Sequence, residues 1–156
     1  YRPDQDTYTI EADCDLSELT GIRLEVMADP SLPHNGPGRQ DNGNLHLNEL
    51  TVIATPTTAA AADQSLGTVP LEWGGVSADF DQEGWTAAHA LDGNPATAWG
   101  IFPQIGQTHT ATFALQAKLA GPVRLRVTLQ QSRRFFFKEL LPSHAASRRG
   151  YVWQGV

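Results

Sequence analysis

The segment PVRLRVTLQQ, residues 122–131, alternates between apolar and polar side chains. Val123, Leu125, Val127 and Leu129 take every second position, and arginine, threonine or glutamine stands between them. Successive side chains of a β-strand point to opposite faces of a sheet, so this pattern is typical of a strand with one buried face. The segment therefore predicts a sheet that has a core on one side and solvent on the other.

The same alternation recurs along the chain. It is present in TYTIEAD (7–13), GIRLEVMAD (21–29), NLHLNELTVIA (44–54) and THTATFAL (108–115). In the third of these segments the apolar positions change phase near Asn48–Glu49, which predicts a β-bulge there. Connectors rich in turn-forming residues, such as PSLPHNGPGRQDNGN (30–44), separate the alternating runs. The sequence thus predicts an all-β fold built as a β-sandwich.

Composition restricts the class of protein. A chain of 156 residues with 40% hydrophobic residues is long enough for one domain with its own core. The net charge of −6 disfavours nucleic acid as a partner, because phosphate binding requires a basic surface. Cys14 is the single cysteine and cannot form an internal disulfide. We also find no apolar run long enough to span a membrane, so no membrane insertion is expected.

The basic residues are concentrated at the end of the chain. We expect a sandwich over residues 1–131 and a basic tail over residues 132–156 that packs on the same domain. Tyr1 is not an initiating methionine, so we expect the chain to be one module of a larger protein.

The loop ALDGNPATAW, residues 90–99, presents several oxygen atoms. Asp92 and Asn94 offer side-chain oxygens on either side of Gly93, and Thr97 adds a hydroxyl and a carbonyl. Calcium binds six to eight such oxygens, so the loop is a candidate cation site. The alternative is that Asp92 and Asn94 form Asx-turns, in which the side chain binds only its own backbone. The sequence leaves both interpretations open.

A second acidic segment, DFDQEG (79–84), matches the start of an EF-hand calcium loop. The twelfth position of such a loop requires a bidentate glutamate, and here it is Ala90. We interpret the segment as a solvated acidic loop.

VSADFDQEGWTAAHALDGNPATAWG, residues 76–100, resembles the opening of galactose-binding-like jelly rolls, the fold of discoidin (coagulation factor 5/8 type C) domains and many carbohydrate-binding modules. The family pattern is Ala, an apolar residue, Asp, Gly, Asn or Asp, two variable residues, Thr, one variable residue and Trp. It is matched by Ala90, Leu91, Asp92, Gly93, Asn94, Thr97 and Trp99. Trp99 is expected in the core.

In this family a late strand carries a glutamate that completes a structural calcium site. Here the most similar segment comes first, with Glu49 in the expected place, so the resemblance implies a circularly permuted jelly roll. The chain is also similar to a module of large bacterial proteins with cytochrome-c-like segments, in which GPGRxDNGN precedes the strand. The likeness covers about residues 7–131. Two separate half-domains are disfavoured, because neither half is long enough to bury a core.

The resemblance implies a set of calcium ligands. Glu49, Asp92 and Asn94 would supply side chains, and carbonyls near Leu47 and Thr97 would complete the site. Such a calcium ion would be structural, tying two loops together.

A carbohydrate site is also expected. Sugars bind on exposed aromatic faces with help from polar side chains, and Trp85 follows a glycine in a loop. His34, Arg39, Asp41 and Asn42 form a polar group in the 30–44 loop. The alternatives are that Trp85 is buried under its loop and that the polar group only holds the loop together.

The sequence contains neither the His-Glu-x-x-His pattern of zinc peptidases nor the Gly-x-Ser-x-Gly pattern of serine hydrolases. We therefore expect a non-catalytic carbohydrate-binding module of a larger exported protein, extracellular or periplasmic. The alternative is an architectural or protein–protein interaction domain that packs on a neighbouring catalytic or redox domain and binds no free ligand.

Overall fold

The computed structural model describes residues 5–57, 67–132 and 151–155. These residues form β-strands and two short 3₁₀ helices, Pro33–Asn35 and Ala87–Leu91. The strands are β1 (Gln5–Cys14), β2 (Glu18–Val26), β3 (His46–Pro56), β4 (Val69–Pro70), β5 (Trp73–Ala78), β6 (Trp99–Gly100), β7 (His109–Ala120), β8 (Val123–Ser132) and β9 (Tyr151–Gly155).

Two antiparallel sheets make up the fold. The first sheet has the order β1-β8-β3-β4, and β6 pairs with β3 beside this path. The second sheet has the order β5-β7-β2-β9. Each of the five alternating segments of the sequence forms a strand over most of its length, so the prediction of an all-β sandwich architecture is confirmed.

The core lies between the sheets and follows the alternation of the sequence. The four apolar residues of β8 are all buried, as are the alternate apolar residues of β2 and β3. Phe113 and Trp99 are the largest side chains in this core, and both are fully buried. Burying one such side chain stabilises a fold by about 1.5–3 kcal/mol. The expected core position of Trp99 is correct.

The outer face of the first sheet carries paired charges. Arg124 of β8 donates two hydrogen bonds to Asp13 of β1, at 2.7 and 3.1 Å. Arg126 donates one hydrogen bond from its Nε atom to Glu11, at 2.8 Å. The hydrogen bonds from Arg124 lower the pKa of Asp13 below its usual value. These residues are exposed, so the pairs mark the solvent side of the sheet rather than contribute strongly to stability.

A β-bulge interrupts the pairing of β3 with β8 between Leu47 and Glu49. This is the position at which the apolar pattern of the sequence changes phase, so the prediction of a bulge is confirmed. The bulge residue, Asn48, uses its side-chain amide to bind the carbonyl oxygens of Pro95 and Thr97. The bulge thus attaches β3 to the 90–99 loop.

Part of the tail belongs to the second sheet. Strand β9 pairs antiparallel with β2 from Ile22 to Val26. The other tail residues, 133–150 and 156, lie outside the described residues. Within the part of the chain that the structure describes, no helix has the length and apolar character needed to cross a bilayer.

Candidate functional site

Long connections meet at one end of the sandwich, which we call the loop end. They are residues 27–45, between β2 and β3, and residues 79–108, between β5 and β7. Asn44 donates from its side-chain amide to the Oε1 atom of Gln82 at 2.9 Å, and the amide of Gly106 donates to the carbonyl of Gly36. The two connections therefore support each other, and both candidate sites of the sequence lie in this region.

Glu49 and the 90–99 loop come together. Only 9% of Glu49 is exposed, and its carboxylate faces Asp92 and the backbone amides of Gly93 and Asn94. Burial raises the pKa of Glu49, and the negative charge of Asp92 raises it further. Hydrogen bonds from the two backbone amides oppose this shift. Residues more than forty positions apart thus meet in one acidic cluster.

The loop itself is held by Asx-turn hydrogen bonds. Asp92 accepts from the backbone amide of Asn94 at 2.8 Å and from the hydroxyl of Thr97 at 2.7 Å. Asn94 accepts from the backbone amide of Ala96 at 3.0 Å. The Asx-turns therefore exist, but an ionised carboxylate can accept about four hydrogen bonds or cation contacts. The turns and a cation are compatible at Asp92.

The chemistry of the cluster fits a hard cation. Glu49 Oε1 is buried and has no hydrogen-bond partner among the described residues. A buried anionic oxygen without a partner is costly, and here a second carboxylate stands beside it. A calcium ion bound by Glu49 and Asp92 would supply the missing positive charge.

The remaining ligands would have to be neutral oxygens. Among the described residues no three side chains of histidine, cysteine, aspartate or glutamate converge. Calcium accepts amide, hydroxyl and carbonyl oxygens as well as carboxylates. Asn94 and Thr97 lie in the loop, and Leu47 lies two residues before Glu49 at the start of the bulge. The carbonyl of Thr97 already accepts a hydrogen bond from Asn48 at 2.7 Å.

Trp85 is half-buried at the loop end. Its ring stacks on the imidazole of His46, with 4.6 Å between the ring centroids and 6° between the planes. One face of the indole is therefore covered, and a sugar could stack only on the opposite face. His46 begins β3 and is itself buried, so the indole rests on the body of the sandwich.

A buried polar network supports this stack, and the sequence analysis did not single it out. Asn44 accepts from the backbone amides of Ile101 and Phe102 at 2.9 and 3.0 Å. Its amide nitrogen lies 2.9 Å from Gln82 Oε1 and 3.2 Å from the Nε2 atom of His46. The sequence gives only one indication of this network, which is an asparagine that stands between a turn and an alternating strand. Three of its four contacts are to residues 38 to 58 positions away, which the sequence does not place near it.

The polar residues of the 30–44 loop have separate surroundings. His34 is exposed and has a left-handed backbone, with φ of 50°. The guanidinium of Arg39 lies 5.5 Å from the ring centroid of Tyr8. Asn42 is exposed and accepts from the backbone amide of Asn44, which forms an Asx-turn, and Asp41 is also exposed. The structure thus gives Asn42 the loop-holding role that was the alternative interpretation.

The acidic segment 79–84 organises the backbone around it. Asp79 accepts from the amide of Thr110 at 3.0 Å and faces the Nδ1 atom of buried His109 at 3.2 Å. Asp81 accepts from the amide of Ala87 at 2.8 Å, at the start of a 3₁₀ helix. Both carboxylates thus hold neighbouring segments in place.

Comparison with known proteins finds no match to any protein family, to any curated protein or to any solved structure.

Proposed function

We propose that the chain is a non-catalytic carbohydrate-binding module that uses the loop end. The stack of Trp85 on His46 carries this proposal, because it holds a half-buried indole at the loop end, where a sugar could stack on the face opposite His46. Sugar rings bind to such platforms through C–H contacts, and nearby polar side chains supply hydrogen bonds. His34, Asp41 and Asn42 are exposed polar residues of the same end.

The proposal includes a structural calcium ion between Glu49 and the 90–99 loop. The support is the buried carboxylate of Glu49, whose Oε1 atom has no partner among the described residues and whose neighbour is Asp92. Calcium there would join β3 to the loop before β6. It would hold the frame of the loop end and take no part in chemistry.

The finer fold assignment is also a proposal. We infer a galactose-binding-like jelly roll with a permuted strand order. Its support is that Glu49, on a strand that precedes the 90–99 loop in sequence, meets this loop in space. The module would belong to a larger exported protein, in the extracellular space or the periplasm.

A glycan array tests the proposed function. The parent chain is expected to bind at least one glycan, and Trp85→Ala is expected to lose that binding. Trp85→Phe keeps an aromatic ring on His46 and is the matched control, so it should retain part of the affinity. Absence of binding by the parent, or equal binding by Trp85→Ala, would contradict the proposal.

A second candidate is an architectural or protein–protein interaction domain. An apolar cleft of about 420 Å³ opens at the end of the sandwich opposite the loop end. Cys14, Leu16, Leu19, Ile22 and Leu125 line it, and 44% of Leu16 is exposed. Exposed apolar surface of this kind favours contact with another protein. If the array is negative, Leu16→Glu should disrupt binding to the neighbouring domain of the longer protein.

A further inference from the structure

A further cleft lies on the side of the sandwich, between β5 and the 3₁₀ helix Ala87–Leu91 that precedes Asp92. It has a volume of about 530 Å³ and runs along β5, an edge strand of the second sheet. Trp73, Val76 and Leu91 form its apolar wall, and Glu72 and Gln116 are exposed at its rim. Trp73 packs against the buried ring of Phe113 with 5.7 Å between the centroids. The indole is therefore held in place by the core.

The backbone of β5 keeps this cleft open. A β-bulge lies between Trp73 and Gly75, and a Cβ atom on Gly74 would come within 3.1 Å of the backbone of β7. Gly74 thus has a packing reason to be glycine. Gly75 has none, because a Cβ atom there would meet nothing within 4 Å and its φ lies outside the left-handed range. A glycine in a strand often marks a bulge or a place where a ligand can approach the backbone, and Gly75 both ends the bulge and lines the cleft.

We propose that this cleft is a second saccharide site, specific for neutral sugars. A fixed indole gives the sugar an apolar surface, and the carboxylate of Glu72 and the amide of Gln116 can bind hydroxyl groups. The negative charge of Glu72 and the net charge of −6 disfavour acidic sugars. An added peptide strand is a poorer fit, because the bulge interrupts the hydrogen-bonding edge of β5.

The second site deepens the proposed function and rests on it. Two sites on one module can bind two parts of the same polysaccharide chain. Such bivalent binding increases the overall affinity without any new contact, because the second event is intramolecular. The module would then prefer polymers to short oligosaccharides.

Affinity electrophoresis of the full chain tests the side cleft. The gels contain xylan, galactan, galactomannan or mixed-linkage β-glucan as neutral polysaccharides and polygalacturonate as an acidic one. Gly75→Gln adds a long side chain to the backbone that lines the cleft and should weaken binding to a neutral polysaccharide roughly tenfold. Gly67→Gln is the matched control, because a Cβ atom at Gly67 also meets nothing within 4 Å. It should bind as the parent does, and both variants should melt at the parent's temperature.

The outcomes separate the two proposals. If the parent binds and Gly75→Gln binds equally well, the side cleft is refuted and the loop-end site stands. If Gly75→Gln weakens binding and Trp85→Ala does not, the side cleft stands alone. If the parent binds only polygalacturonate, or if denatured casein competes with the neutral polysaccharide for the cleft, the assignment to neutral sugars is wrong. If the parent binds none of the five polysaccharides, both proposals fail.

Discussion

Replacing Glu49 by glutamine should have opposite effects on stability with and without calcium. Without calcium, the wild-type protein holds a buried carboxylate beside Asp92, and its Oε1 atom has no partner among the described residues. Glutamine removes the charge and keeps the shape of the side chain. Removing a buried charge of this kind should raise the free energy of unfolding by about 2 kcal/mol. In a domain of this size, that corresponds to a rise in melting temperature of roughly 4–8 °C.

With calcium, the wild-type protein should be more stable than Glu49→Gln. A ligand present at a hundredfold excess over its Kd stabilises the folded state by about 2.7 kcal/mol. The wild-type protein should therefore melt roughly 5–11 °C higher in calcium than in chelator. Glu49→Gln lacks one of the two carboxylates of the cluster and should show little or no calcium-dependent shift.

Differential scanning fluorimetry in EGTA and in millimolar calcium measures both effects. Glu83→Gln is the matched control, because Glu83 is an exposed glutamate outside the cluster, and it should melt as the wild type does in both buffers. The proposed calcium site is refuted if the wild-type melting temperature is the same in EGTA and calcium. It is also refuted if Glu49→Gln is less stable than the wild type in EGTA.

Further predictions concern pH and the loop end. Because the pKa of Glu49 is raised above its usual 4.5, the metal-free folded state retains a proton that the unfolded state loses. Chemical denaturation in EGTA should show stability falling as pH rises from 4.5 through this pKa, and Glu49→Gln should lack this component. Asn44→Ala leaves the buried backbone amide of Ile101 without its acceptor and should cost about 1–3 kcal/mol by urea denaturation, whereas the amide of Phe102 keeps Gln82 as an acceptor. Gly38→Ala places a Cβ atom against the Asn44 carbonyl and should lower the melting temperature, whereas Gly67→Ala should not.

The sheets could be predicted from the sequence to a large extent. Alternation has a period of two, and in β2, β3, β7 and β8 the apolar set is the set that faces the core. The bulge was visible as a change of phase at Asn48. Strands β5 and β9 were harder to recognise: β5 has two adjacent glycines, and β9 is a five-residue strand in a tail of mixed composition. Short or glycine-rich segments carry too little alternation to predict a strand.

The candidate sites depend on contacts that alternation does not encode. A family resemblance implied that Glu49 would meet the 90–99 loop, and the structure places the two together. Neither segment indicates that His46 lies under Trp85. The two residues meet only when the loop after β5 folds over the start of β3. The side cleft was not predicted, because it forms where β5 meets the 3₁₀ helix Ala87–Leu91 and neither segment indicates that contact.

The pairing of the strands also affects how the chain folds. Arg124 and Asp13, which face each other across β1 and β8, are 111 residues apart in the sequence, and β2 and β9 are farther apart still. Contacts at such separations slow folding, because a long loop must close before any of them can form. During synthesis, the edge of β2 that pairs with β9 stays unpaired until residues 151–155 have left the ribosome. Synthesis in the cell is therefore expected to pass through a state in which the second sheet lacks its last strand.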